Sequence, residues 1–131
     1  FAVPEVTLGT IWGAGGTQRL PRLIGETRAK EMIFTGRKIT AETAREWGLV
    51  NGVFTAGSLL EETLNLADEI ARNSPYAVTR AKRSVNGGRE MLLEEALEWE
   101  RSLFGECGES RDRKEGMTAF LEKRPRIFTG E

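Results

Sequence analysis

Residues 4–25 read "PEVTLGTIWGAGGTQRLPRLIG", and their interpretation decides the fold. An apolar run carries one carboxylate, Glu5, and runs into a glycine cluster, Gly13-Ala14-Gly15-Gly16. Residues 1–8 predict a short strand or extended segment. A helix is expected to start near Thr17 and to kink or restart at Pro21, where the backbone N–H is lost. The chain opens without Met and already inside an apolar element, which is expected of an internal piece of a longer protein.

The glycines do not form a dinucleotide fingerprint, because Gln18 stands where GxGxxG needs its third glycine, and no Walker A lysine follows. They read either as a plain tight turn or as a turn letting backbone approach a ligand, with the open amides of a helix N-terminus behind it. Glu5 also has two readings. A carboxylate buried in an apolar strand must be paired, hydrogen-bonded or protonated, which makes it a candidate general acid/base. At a strand end it simply faces water.

Outward from this stretch the chain reads as helices. One is expected over 26–35, ending at Gly36. A short one over 41–47 follows an N-cap at Thr40, with Gly48 placed to terminate it. "LVNGVF" at 49–54 predicts a strand. Ser58 and Glu61 have capping-box spacing, and Leu59, Leu60, Thr63, Leu66, Ala67, Ile70 and Ala71 recur at helical period. Ser74-Pro75 supplies a cap and an N1 proline for a helix stopping at Gly87-Gly88. A helix over 90–104 is apolar on more than one side, and a last helix runs from about Ser110 to Lys123, where Pro125 forbids continuation.

Composition excludes a great deal. The 131 residues are one domain's worth of chain, and 39% hydrophobic with 30% charged residues is ordinary for a soluble domain. Nineteen Lys+Arg against twenty Asp+Glu give a net charge of −1, so no global field draws nucleic acid or an anionic membrane. No apolar run approaches the ~20 residues of a membrane span. There is no histidine and a single cysteine, Cys107. Histidine-dependent triads, HExxH zinc sites, cysteine metal sites and internal disulfides are thereby removed. Chemistry is left to carboxylates, amides, hydroxyls, Lys and Arg.

Other features favour bland readings. Cys107 has no basic neighbour in sequence and reads as an inert thiol. "RAKRS" at 80–84 is either a phosphate-contacting run or, preferentially, the solvated face of a helix. "RDRKEG" at 111–116 reads as a solvated face too, and Trp12, Trp47 and Trp99 as packing residues.

Three segments together, "PEVTLGTIWGAGGTQRLPRLIG", "AKEMIFTGRKITAETAREWGLVNGVF" and "DRKEGMTAFLEKRP", resemble the enoyl-CoA hydratase/isomerase (crotonase) family in order and spacing. The likeness runs from Pro4 to the end and is to the C-terminal half of such an enzyme. It implies part of an α/β crotonase (ClpP/crotonase-like) fold, mostly α-helical here with one or two short strands. Residues 1–55 would be the end of the spiral ββα core, and 56–131 the helical trimerisation and CoA-contacting region.

The resemblance implies roles. Glu5 matches the glutamate of the family's "PE" dipeptide, one of two catalytic glutamates, which exchanges a proton at C2 of the acyl-CoA. Gly13 matches the residue whose amide helps hold the catalytic water. Phe120 and Lys123 match residues that contact CoA, often across a subunit boundary. The second glutamate and most of the oxyanion hole belong to a segment upstream. The family commonly has proline before "GAGG", whereas this chain has Trp12, a side chain expected to line the acyl pocket. The implied activity is hydration of trans-2-enoyl-CoA, with isomerase or another acyl-CoA chemistry of the family as the alternative. A non-catalytic or RNA-binding interaction module is the alternative of another class, and the net charge weighs against RNA. The resemblance further implies no cofactor, acyl-CoA as substrate, and a homotrimer or dimer of trimers, with neither membrane nor nucleic acid as a partner. The expected location is the cytoplasm in a bacterium or archaeon and the mitochondrial matrix in a eukaryote. Residues 1–131 alone are expected to be inactive.

Overall fold

A computed structural model describes all of residues 1–131. The chain forms two compact units, Phe1–Leu60 and Glu61–Glu131.

The first unit opens not on a strand but on a 3₁₀ turn, Pro4–Leu8. Pro4 explains this locally: its ring presets φ and it has no N–H to give to a ladder. The Thr7 hydroxyl donates to the Pro4 carbonyl at 2.7 Å, and Gly9, at φ 75°, closes the turn. The expected strand over 49–54 is also absent, the segment being bends and irregular backbone. A strand needs a partner for its N–H and C=O groups. The one exchange of that kind is between Phe1 and Ile39, whose backbones donate to each other at 3.0 and 2.9 Å.

Helices α1 (Gly16–Ile24), α2 (Glu26–Thr35) and α3 (Ala41–Glu46) follow. Pro21 lies inside α1 without ending it, and Gly25 separates α1 from α2. Leu20 and Ile24 of α1 meet Ala29, Met32 and Ile33 of α2 over Val3, with Trp12, Ile39, Trp47 and Leu49 packed around them. The expected cap of α3 is in place: the Thr43 amide donates to Thr40 Oγ1 at 3.1 Å. Helix α4 (Leu59–Ala71) crosses the boundary between the units and buries none of its residues.

The second unit contains α5 (Pro75–Gly88), α6 (Leu93–Glu109) and α7 (Arg111–Glu122). α6 runs five residues past the expected end at 104, since neither Gly105 nor Gly108 stops it; Ser110 does. α5 lies along α6, with Leu103 buried on the facing side. Leu92, Leu93 and Phe104 remain about three-quarters exposed, at 74%, 74% and 77%.

The acidic and basic run at 111–116, expected to be solvated, is instead where this unit is tied together. Asp112 is only 2% exposed. It accepts from Ser74 Oγ at 2.5 Å, from the Thr129 amide at 2.8 Å and from the Gly130 amide at 3.1 Å. Ser74 also caps α5 through the Ala77 amide. One carboxylate thus joins the starts of α5 and α7 to the C-terminal tail. One turn along, Glu115 accepts both prongs of the Arg124 guanidinium, at 2.6 and 2.8 Å, and the Ile127 amide at 2.9 Å.

Burial pushes the Asp112 carboxyl up, but the Ser74 hydroxyl and the two tail amides outweigh it and hold it below its usual range. The Arg124 fork, with the Ile127 amide, holds Glu115 down to about 2. Both groups bind protons less readily folded than unfolded. Their stabilisation is therefore complete above the ordinary carboxylate values and fades as the pH falls through the lowered ones. The tail, residues 124–131, should stay docked above about pH 4.5 and release as the pH approaches 2. Hydrogen exchange of the Ile127, Thr129 and Gly130 amides across that window checks this. The melting-temperature gap between wild type and Asp112→Asn should shrink as the medium becomes more acid, and a gap independent of pH would contradict the assignment.

Candidate functional site

Glu5 lies in the first turn of the 3₁₀ segment, two residues after the buried Val3 and next in sequence to the core-packed Val6. Its Oε2 is buried and has no hydrogen-bond partner in the chain. A buried carboxylate oxygen without a donor is costly and rare in a stable fold, so such a group calls for a role. The residue as a whole is half-buried, so its two carboxylate oxygens are not equally open to water. The backbone around it is fixed, with the Thr10 amide donating to the Glu5 carbonyl at 3.2 Å.

The glycine cluster forms a hydrogen-bonded β-turn, Gly13 to Gly16, closed by the Gly16 amide on the Gly13 carbonyl at 3.0 Å. Its central residues, Ala14 and Gly15, both have positive φ, 51° and 83°, the pattern of a type I′ turn. Ala14 tolerates the left-handed region at a cost of about 1–2 kcal/mol. The turn delivers the chain into the start of α1 and leaves Gly13 exposed, its amide without an acceptor in the chain.

Gly16 is buried for a different reason. A Cβ there would sit 1.9 Å from the Trp12 ring, so the absence of a side chain is what lets the indole lie on the backbone at the start of α1. Trp12 is half-buried and packs on the core formed by α1 and α2. The first unit therefore holds three of the expected site residues on one short segment: Glu5, Trp12 and Gly13.

The other two belong to the second unit. Phe120, on α7, is 79% exposed. Lys123 is not on the helix, as expected, but just past it, in the left-handed conformation that ends α7. The "RAKRS" run is largely engaged within the chain. Arg80 lies 3.5 Å from the Tyr76 ring centroid and 3.1 Å from Glu106, and Arg83 lies 3.7 Å from Glu106 and over Trp99. Cys107 is half-buried against α5 and lines a cavity of about 310 Å³ with Ala77, Ala81 and Leu103. No group of three His, Cys, Asp or Glu side chains is arranged to hold a metal.

Sequence reasoning missed Asp112, Glu115 and Arg124. Only the Ser110 cap and the acid in the first turn of α7 signal them locally, because Asp112 finds its partners 38 residues earlier and 17 to 18 residues later, and Glu115 pairs with Arg124 nine residues away.

Comparison with known proteins gives a consistent result. The family model described as "Enoyl-CoA hydratase/isomerase" matches residues 1–131. The mitochondrial enoyl-CoA hydratase of Pongo abelii is 48% identical over 128 residues, covering 98% of this chain and 44% of that protein. The 2,3-dehydroadipyl-CoA hydratase of Escherichia coli is 45% identical, covering 99% of this chain and 51% of its own length. Among solved structures, an enoyl-CoA hydratase from Bacillus anthracis superposes with a TM-score of 0.95 at 45% identity, over 99% of this chain and 50% of that one. The chain spans about half the length of the curated relatives it matches.

Gly16→Ala should force Trp12 off the start of α1 and cost about 1–3 kcal/mol, the usual penalty of overpacking. Urea unfolding together with tryptophan emission reads both effects, and an unshifted emission spectrum with full stability would show that the ring does not depend on this glycine.

Proposed function

Because this chain belongs to the enoyl-CoA hydratase/isomerase family, we propose that it is the C-terminal portion of an enoyl-CoA hydratase, converting a trans-2-enoyl-CoA and water to the 3-hydroxyacyl-CoA. Its fold is the α/β crotonase fold, of which these residues carry seven helices and a 3₁₀ turn. The observation that carries the reading is Glu5 Oε2, buried and without a partner.

In hydration the C2–C3 π bond breaks, oxygen bonds to C3 and a proton to C2. Glu5 is the group that exchanges the C2 proton. The exposed Gly13 amide is a donor to the water oxygen, and Trp12 borders the acyl chain. The second carboxylate and the main donors to the thioester oxygen lie ahead of residue 1 in the full-length protein. Phe120 gives apolar contact to CoA and Lys123 a point charge for its phosphates. No cofactor is required, since proton transfer and amide dipoles supply what the reaction needs. The engagement of Arg80 and Arg83 with Glu106 weighs against the nucleic-acid alternative.

Self-association is part of the same proposal. Leu92, Leu93, Phe104 and Leu121 are exposed at 74%, 74%, 77% and 75%. Each forgoes roughly 1.5–3 kcal/mol that burial would supply. Copies of the chain arranged as a trimer or a dimer of trimers would cover them. Light scattering of the full-length protein tests this, and a stable monomer at dilution would refute it.

Glu5→Gln in the full-length protein should lower kcat for crotonyl-CoA hydration by about 10²–10⁴ with little change in KM, as expected when a proton-transfer group is lost. Turnover at the wild-type rate would remove Glu5 from the chemistry.

A further inference from the structure

Helix α7 ends in a way that determines where Lys123 projects. Lys123 has φ 53° and ψ 38°, a left-handed conformation that glycine normally supplies at this position. Two backbone bonds make the cap, Arg124 N–H to the Ala119 carbonyl at 3.0 Å and Lys123 N–H to the Phe120 carbonyl at 3.3 Å. This is a Schellman ending built on a lysine.

Side chains hold it in place. The residues on either side of Lys123 are joined over it, Arg124 Nε donating to Glu122 Oε2 at 2.7 Å. The other two guanidinium nitrogens grip both oxygens of Glu115, at 2.6 and 2.8 Å. Glu115 is itself held by the Ile127 amide at 2.9 Å, so the grip is anchored at both ends. A bidentate guanidinium–carboxylate pair fixes angle as well as distance, which a lone ammonium cannot do. The arrangement also sorts the charges. Arg124 is committed to two carboxylates, whereas Lys123 forms no ion pair within the chain. The Lys123 ammonium is therefore the uncommitted cation at this helix end, and Phe120, three residues earlier, is exposed.

We infer that Glu115 and Arg124 are positioning residues: their fork holds Lys123 in the left-handed conformation and so aims its ammonium at the phosphates of the CoA ester. The inference rests on the reading that Lys123 contacts CoA and adds the device that places it. A glutamine at 115 keeps an acceptor for the Ile127 amide while removing the ionic fork. A lysine at 124 keeps the charge and loses the two-pronged geometry.

The test is a double-mutant cycle on the full-length protein, with crotonyl-CoA as substrate. Lys123→Ala should raise KM about ten-fold with kcat within about two-fold of wild type, the signature of lost uniform binding. Glu115→Gln and Arg124→Lys should each raise KM about three- to ten-fold in the same way, and Glu115→Gln added to Lys123→Ala should change KM no further. If Lys123→Ala leaves KM unchanged, the reading that Lys123 contacts CoA fails, and the inference falls with it. If Lys123→Ala raises KM but Glu115→Gln does not, or its effect adds in full to that of Lys123→Ala, the positioning role is wrong and the contact stands. Should Glu115→Gln melt too low to assay, Arg124→Lys in the same cycle with Lys123→Ala decides by the same criteria.

Discussion

Seven helices, from the 6 residues of α3 to the 17 of α6, divide the chain, so the open amides and carbonyls at helix ends recur along its whole length. Satisfying those ends is the constraint on which the structure depends. Thr40, Ser74 and Ser110 each accept an amide from the first turn of the helix they precede. The type I′ turn at Gly13–Gly16 launches α1 without such a side chain, and Lys123 closes α7 by taking a conformation that most residues avoid.

The polar groups at these ends do more than cap. Ser74 accepts for α5 and donates to Asp112, so one hydroxyl links a helix start to a carboxylate from 38 residues away. Asp112 in turn accepts the tail amides. A buried carboxylate with three donors is stable, whereas one with none is not. That contrast separates Asp112 from Glu5. The first is buried and satisfied, and its role is to hold the fold. The second is half-buried, and one of its carboxylate oxygens is covered without a hydrogen-bond partner in the chain.

Apolar surface follows the same division. In the first unit Leu20, Ile24, Met32 and Ile33 close on Val3 and form a core. In the second, few side chains beyond Leu103 and Ala119 are fully covered, and α6 keeps large apolar residues on its outer side. Polar ties at Asp112 and Glu115 join the start of α7 to the C-terminal tail, and α5 packs along α6 beside them.

The helices were legible in the sequence because their signals are local. Thr40, Ser74-Pro75, Gly36 and Gly87-Gly88 mark ends within a few residues of the bonds they make, and helical periodicity needs no distant partner. The absence of histidine limited the chemistry before any fold was considered, and the "PE…GAGG" and "AFLEKR" segments pointed to Glu5, Gly13, Phe120 and Lys123 by resemblance. Tertiary structure decided the rest. The apolar runs at 1–8 and 49–54 have strand composition, but strand formation depends on a neighbour for the backbone, and Pro4 turns the first of them into a 3₁₀ segment instead. The charged run at 111–116 has surface composition, yet the tail brings its amides and Arg124 back onto it and buries Asp112. Periodicity and caps are set by neighbours along the chain, whereas burial and pairing are set by neighbours in space, and only folding brings those together.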